Sequence, residues 1–186
     1  SRRRHARLLR VSWVGDVYKR QGSAAGERAP FYHPYAKANF FGISANTTRA
    51  DLIHAVYEGI SLSIKDCLRK AKPDSKIYLA GGGAKSPVWA QMIADVLGME
   101  VVVSAGDEFG AKGAAMMLGI AVGEYEDYDD AARKACRAEC VYRPREEQSA
   151  VYEDIYQLYK NIRVSLSDLW TDRAKMMKKV NRQQMA

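Results

Sequence analysis

Apolar residues recur at steps of three and four through "TTRADLIHAVYEGISLSIKDCLRKAKP", where Ile53, Val56, Tyr57, Ile60, Ile64, Cys67 and Leu68 form one stripe. That spacing predicts a long amphipathic helix with the stripe as its core face. Thr48, with Asp51 three residues later, predicts a capping box at its start, and Pro73 follows its end. "KIYLA" predicts a short strand, after which come three glycines, Gly81, Gly82 and Gly83. Ser86 and Pro87 supply a cap and a first-turn proline for a helix over 87–97, which Gly98 stops. "EVVVSA" predicts the next strand and Glu108–Ile120 the next helix, in which Gly110 with Ala114, and Ala111 with Ala115, form rows small enough for close packing. A further helix is predicted near 127–137, and after "ECVYRP" a long one from about residue 145 aligns Tyr152, Ile155, Tyr159, Ile162 and Leu166. Upstream, the aromatic residues Phe31, Tyr32, Tyr35, Phe40 and Phe41 predict a partly buried extended segment ending in a short strand at "ANFFGIS". Strands separated by helices of about 10–15 residues indicate an α/β layered domain, not a bundle or a sandwich.

With 186 residues, 47% of them hydrophobic and 27% charged, the chain has material for one core. The net charge of +7 would suggest an anionic partner, but it sits at the ends: +6 in residues 1–21 and +4 in 172–186, leaving the body between them at −3. A nucleic-acid face is therefore not expected. The opening "SRRRHARLLRVSWVGDVYKRQ" shows no sustained periodicity and resembles the translated adapter segments found at the ends of assembled reading frames. The expected organisation is a non-native or disordered basic leader over 1–21, one domain over 22–171 and a basic tail over 172–186. No apolar run approaches the roughly 20 residues of a membrane-spanning helix, and the leader lacks the apolar centre of a secretory signal, so no membrane partner and a cytoplasmic location are expected. Cys67, Cys136 and Cys140 have neither the number nor the spacing of a disulfide framework or a zinc site.

The glycine run is the main candidate for chemistry. A strand leading through Gly81, Gly82 and Gly83 into a helix N-terminus lets backbone approach a flat or anionic ligand with no side chain in the way. The pattern matches neither G-x-G-x-x-G nor the P-loop, and on spacing alone a tight strand-to-helix turn explains it better than a ligand site does.

The order of three stretches goes further. In "GERAPFYHPYAKANFFGISANTTRADLIHAVYEGI", Ala38, Phe40, Gly42 and Ile43, a gap of seven, then Asp51, Leu52, Ala55, Val56, Tyr57 and Glu58 resemble the second signature of the FGGY family of carbohydrate kinases. "AGGGAKSPVWAQMIADVLGMEV" resembles that family's adenosine-binding turn, and "EFGAKGAAMMLGIAVGEY" the small-residue helix after it. The resemblance covers residues 26–171 and implies the incomplete C-terminal half of an actin-like (ribonuclease H-like) ATPase fold. It implies ATP with Mg2+ and phosphorylation of a sugar or polyol hydroxyl, on a pentulose such as xylulose or a related ketose. Carried over residue by residue, Gly82, Gly83 and Ala84 would face the adenosine, Gly81 would open the turn, and Ser86 would be a polar contact.

In the family, the sugar-binding domain and the aspartate base lie upstream of the segment matched by "GERAP". No catalytic residue or metal ligand is therefore assigned here, the sugar is expected to be held through that N-terminal domain, and the chain by itself is expected to lack turnover. A homodimer is compatible with the resemblance. The competing reading is a non-catalytic nucleotide-binding or interaction domain on the same half-fold. His5, His33 and His54 are too scattered for a shared metal or proton-transfer role. Thr47, Thr48 and Arg49 have helix-start duties, Asp107 and Glu108 suit a helix N-terminus, and Tyr152, Tyr156 and Tyr159 read as core.

Overall fold

The computed structural model describes residues 30–69, 76–106 and 108–184. The expectations for residues 1–21, His5, Pro73 and Asp107 lie outside these residues. In chain order the elements are α1 (Arg49–Cys67), β1 (Ile77–Leu79), a 3-10 turn (Gly82–Lys85), α2 (Pro87–Leu97), β2 (Val101–Ser104), α3 (Phe109–Ala121), α4 (Tyr128–Ala135), β3 (Ala138–Tyr142) and α5 (Glu146–Gln184). They form two compact units, one spanning 72–146 and the other built from the segments on either side. The single core expected from composition is thus divided.

In the 72–146 unit, a three-stranded sheet runs in the order β1-β2-β3. β1 and β2 are parallel, with Tyr78 opposite Val102, and β3 returns antiparallel with Val141 opposite Val102. Val101, Val102 and Val103 are buried, as a strand with neighbours on both edges should be. Over them α2 contributes Ala90, Met92, Ile93, Ala94, Val96 and Leu97 to the core. Its ends are those the sequence predicts: Ser86 Oγ accepts from the Trp89 N–H, Pro87 opens the helix, and Gly98 ends it in the left-handed conformation at φ 67°. Asp95 is fully buried on α2 and accepts from the Arg145 backbone N–H at 2.9 Å, from Arg145 Nε and from Gln91 Nε2 at 3.0 Å. The carboxylate thereby fastens the chain leaving β3 to the helix.

The other unit pairs α1 with α5. Thr48 and Asp51 form the predicted capping box, the Thr48 side chain accepting from Asp51 N–H and the Asp51 carboxylate from Thr48 N–H. The buried face of α1 differs from the predicted stripe. Ala55, Glu58, Gly59, Ser61, Leu62 and Asp66 go inside, while Ile53 is 49% exposed and Tyr57 38% exposed. The reason is visible on α5, whose bulky Tyr152, Ile155, Tyr156 and Tyr159 are buried and leave room for small or hydrogen-bonding neighbours. Tyr156 Oη donates to Asp66 Oδ1 at 2.6 Å, Arg163 Nη1 also donates to Asp66, and Lys65 pairs with Glu153 at 3.0 Å.

"ANFFGIS" is not a strand. Gly42 turns the backbone at φ 84°, no described strand pairs with it, and Phe40 and Phe41 are 38% and 49% exposed. Upstream of it, Phe31 stacks on Trp170 at 6.1 Å and His33 Nε2 meets the Ser167 carbonyl at 3.1 Å, so that segment is tied to α5. α5 itself runs without a break through the boundary expected at 171 and 172. None of the described helices is long and apolar enough to cross a membrane.

Candidate functional site

β1 delivers the chain into Gly81, which sits at φ 83°, ψ −165°, a conformation essentially reserved for glycine. The next four residues wind into the 3-10 turn, closed by Ala84 N–H to the Gly81 carbonyl at 3.1 Å and Ser86 N–H to the Gly83 carbonyl at 3.3 Å. Ser86 is held by its capping bond to Trp89 N–H. The Trp89 ring folds back over Gly83: a Cβ there would lie 2.5 Å from its Cζ3. Gly82 differs from both neighbours, since its φ is not left-handed and nothing lies within 4 Å of where a Cβ would point.

The three glycines therefore have three separate explanations. Backbone conformation requires Gly81, ring packing requires Gly83, and the fold requires nothing of Gly82. An open backbone position at the start of a turn is where a ligand can come close.

Beside the turn lies a cavity of about 380 Å³. Of the predicted residues it gathers Gly81 and Ala84, with Lys85 alongside, while Gly82, Gly83 and Ser86 are not in its lining. Ser104, Gly106 and Phe109 form a second wall at the carboxyl end of β2, the usual place for a ligand in an α/β sheet. Glu139, Cys140 and Tyr142 of β3 form a third. Burial, with Cys140 as its charge and hydrogen-bond neighbour, pushes the Tyr142 phenol above its ordinary pKa. The sequence reading missed Ser104, Gly106 and Phe109 although their position just after a strand was a usable signal. It missed the β3 residues because no apolar alternation marks that strand.

The remaining candidates are occupied by local structure. Thr48 caps α1, and Thr47 Oγ1 accepts from Ser44 N–H at 2.9 Å. His33 packs edge-on against Trp170, and His54 faces Glu58 at 4.0 Å. Glu108 precedes α3 without a side-chain capping bond. Among the described residues no group of three His, Cys, Asp or Glu side chains could hold a metal ion.

Residues 13–122 match the model of the FGGY family of carbohydrate kinases, C-terminal domain. The chain belongs to that family. The matched stretch takes in α1, the glycine turn and α3, and it begins inside the basic opening segment that the sequence reading set apart. The erythritol kinase of Brucella abortus is 32% identical over 156 residues, covering 80% of this chain and 29% of its own length. A xylulose kinase of Staphylococcus epidermidis is 30% identical, covering 80% of this chain and 31% of its own. Among solved structures, a gluconate kinase from Lactobacillus acidophilus superposes with a TM-score of 0.73 at 26% identity over 80% of this chain and 31% of its own. The FGGY chain thus has the α/β architecture of an actin-like ATPase half, and it spans about 30% of the length of the relatives it matches.

Proposed function

We propose that this chain supplies the adenosine end of the nucleotide site in an ATP-dependent phosphorylation of a sugar or polyol hydroxyl, with a pentulose such as xylulose as the leading substrate. The observation that carries the reading is Gly82, open on a turn beside a cavity whose volume suits one end of a nucleotide; ligand sites run from about 300 to 1,000 Å³. In this reading the backbone of Gly82, Gly83 and Ala84 lies along the adenosine. Gly81 sets the direction of the turn, and Ser86 holds the helix start rigid through Trp89. Lys85 brings positive charge to the cavity rim. Bound Mg-ATP supplies the phosphoryl group, and the family's use of magnesium assigns it no ligand from this chain. Phosphoryl transfer depends on positioning and charge neutralisation, so the turn contributes position. In this reading the sugar-binding residues and the base belong to the upstream part of the kinase, and the xylulose kinases among the relatives support the pentulose. The cytoplasm and, for oligomeric state, a homodimer belong to the same proposal.

Cys140 provides the test. All three cysteines are exposed, but of them Cys140 lines the cavity. Mg-ATP at about ten times its dissociation constant should slow alkylation of Cys140 about tenfold and leave Cys67 and Cys136 unchanged, and in a Gly82→Val variant the same concentration should leave all three unchanged. Unchanged alkylation of Cys140 in an ATP-saturated protein would remove the cavity from the nucleotide site.

A further inference from the structure

The cavity beside the glycine turn has two residues with charged side chains in its lining, and they stand on different walls: Lys85 on the 3-10 turn and Glu139 on β3. Glu139 reaches its place through an irregularity in the sheet. Val103 pairs with Cys140 and Val101 with Tyr142, so Val103, Cys140 and Tyr142 share one face of the sheet, and all three line the cavity. Strict alternation along β3 would turn Glu139 to the other face. The next pair, however, is Ser104 with Ala138, which leaves Glu139 as an extra residue with no partner on β2. A bulge of this kind re-aims a side chain, and the residue it displaces here is one that lines the cavity.

The charge placed there is not used by the fold. Asp95, Glu100 and Asp130 of the same unit are each paired with Arg or Lys side chains, whereas among the described residues no basic side chain pairs with Glu139. Its surroundings in the cavity are otherwise apolar or aromatic: Pro87, Val103, Phe109 and Tyr142.

We propose that Glu139 selects the base of the nucleotide, its carboxylate accepting a hydrogen bond from the exocyclic 6-amino group of adenine. The inference rests on the nucleotide reading and deepens it. A carboxylate can only accept, and it repels phosphate, so the end of a nucleotide that faces β3 is the uncharged end that carries donors. The phosphates then leave along the wall that holds Lys85. Flat apolar and aromatic walls suit a heteroaromatic ring held with its edge toward Glu139, and this favours the base over the ribose as the donor.

The test is calorimetric titration of the whole chain, and of a Glu139→Leu variant, with Mg-ATP and with the magnesium complex of purine riboside triphosphate, in which hydrogen replaces the 6-amino group. The unsubstituted chain should bind ATP about tenfold more tightly than the analogue. Glu139→Leu should weaken ATP about tenfold, bind the analogue no more weakly than before, and so erase the preference. The melting temperature of the variant checks that β3 stays in the sheet, and the comparison of ligands on the unsubstituted chain needs no variant at all. Equal affinities for ATP and the analogue on that chain would overturn this inference and leave the nucleotide site in place. Equal weakening of both ligands by Glu139→Leu would move the contact from the base to the ribose and overturn it as well. A chain that binds neither ligand would overturn the nucleotide reading itself, and this inference with it.

Discussion

Two carboxyl groups lie on the buried face of α1, two turns apart, and their surroundings are opposite. Asp66, 3% exposed, takes the Tyr156 hydroxyl on one oxygen and the Arg163 guanidinium on the other. Glu58, 1% exposed, has an Oε1 with no hydrogen-bond partner, and His54 Nε2, which also lacks one, lies 4.0 Å from it. Burial pushes the Glu58 carboxyl up to about 9, and burial likewise lowers the pKa of His54 against the opposing pull of Asp51. Asp66 costs the fold little because its charge is met. Glu58 enters the interior as a neutral acid, since a lone carboxylate there would be far more expensive. A buried acid whose oxygens are both met holds structure together, and one with an unmet oxygen burdens it.

The largest effect follows from removing the met charge. Asp66→Ala leaves Arg163, whose side chain is 17% exposed, without its counter-ion and Tyr156 without its acceptor. Loss of one member of such a pair costs about 3–5 kcal/mol, which urea unfolding would register. A loss below about 1 kcal/mol would mean that the contrast between the two acids is unfounded. Glu58 gives an effect of opposite sign, one that depends on pH. Unfolded, its carboxyl ionises near 4.5; folded, near 9. Between those values the folded state holds the extra proton, so stability falls as pH rises, by up to about 1.4 kcal/mol per pH unit. Glu58→Gln should abolish that slope and leave the variant more stable than the unsubstituted chain at pH 8. Unfolding curves collected from pH 5 to 9 decide it, and a slope that survives the substitution would assign the titration elsewhere.

Which parts of this were legible in the sequence depends on the range of the interactions. The ends of α1 and α2 were readable because capping is local: Thr48 with Asp51, and Ser86, Pro87 and Gly98, act within a few residues of one another. The buried face of α1 was not, because periodicity reports which stripe is apolar and not which neighbour arrives. α5 brings tyrosines and Arg163 from about 90 residues away, and these suit Asp66 and not Ile53. β3 escaped for a related reason. Four of its five residues are exposed, and its strand conformation comes from pairing with β2. At the glycine turn the family resemblance marked Gly81, Gly82, Gly83, Ala84 and Ser86 together. It took the Trp89 ring, six residues beyond Gly83, to separate the glycine that packing explains from the one it does not.

That separation yields the finest prediction, in which the smallest effect on folding is the informative one. Gly83→Ala drives a methyl group into the Trp89 ring, from which its Cβ would be 2.5 Å away, so either the ring or the turn must move. Overpacking of this kind costs roughly 1–2 kcal/mol and should alter the Trp89 fluorescence. Gly82→Ala meets nothing within 4 Å and needs no left-handed φ, so its unfolding free energy should stay within about 0.5 kcal/mol of the unsubstituted chain. If Gly82 is nevertheless where adenosine approaches, its methyl group stands in the ligand's place, and ATP affinity measured by calorimetry should fall about tenfold with stability intact. Destabilisation by Gly82→Ala equal to that by Gly83→Ala would return all three glycines to a purely structural role. Intact stability with intact affinity would leave the fold reading standing and move the nucleotide away from this turn.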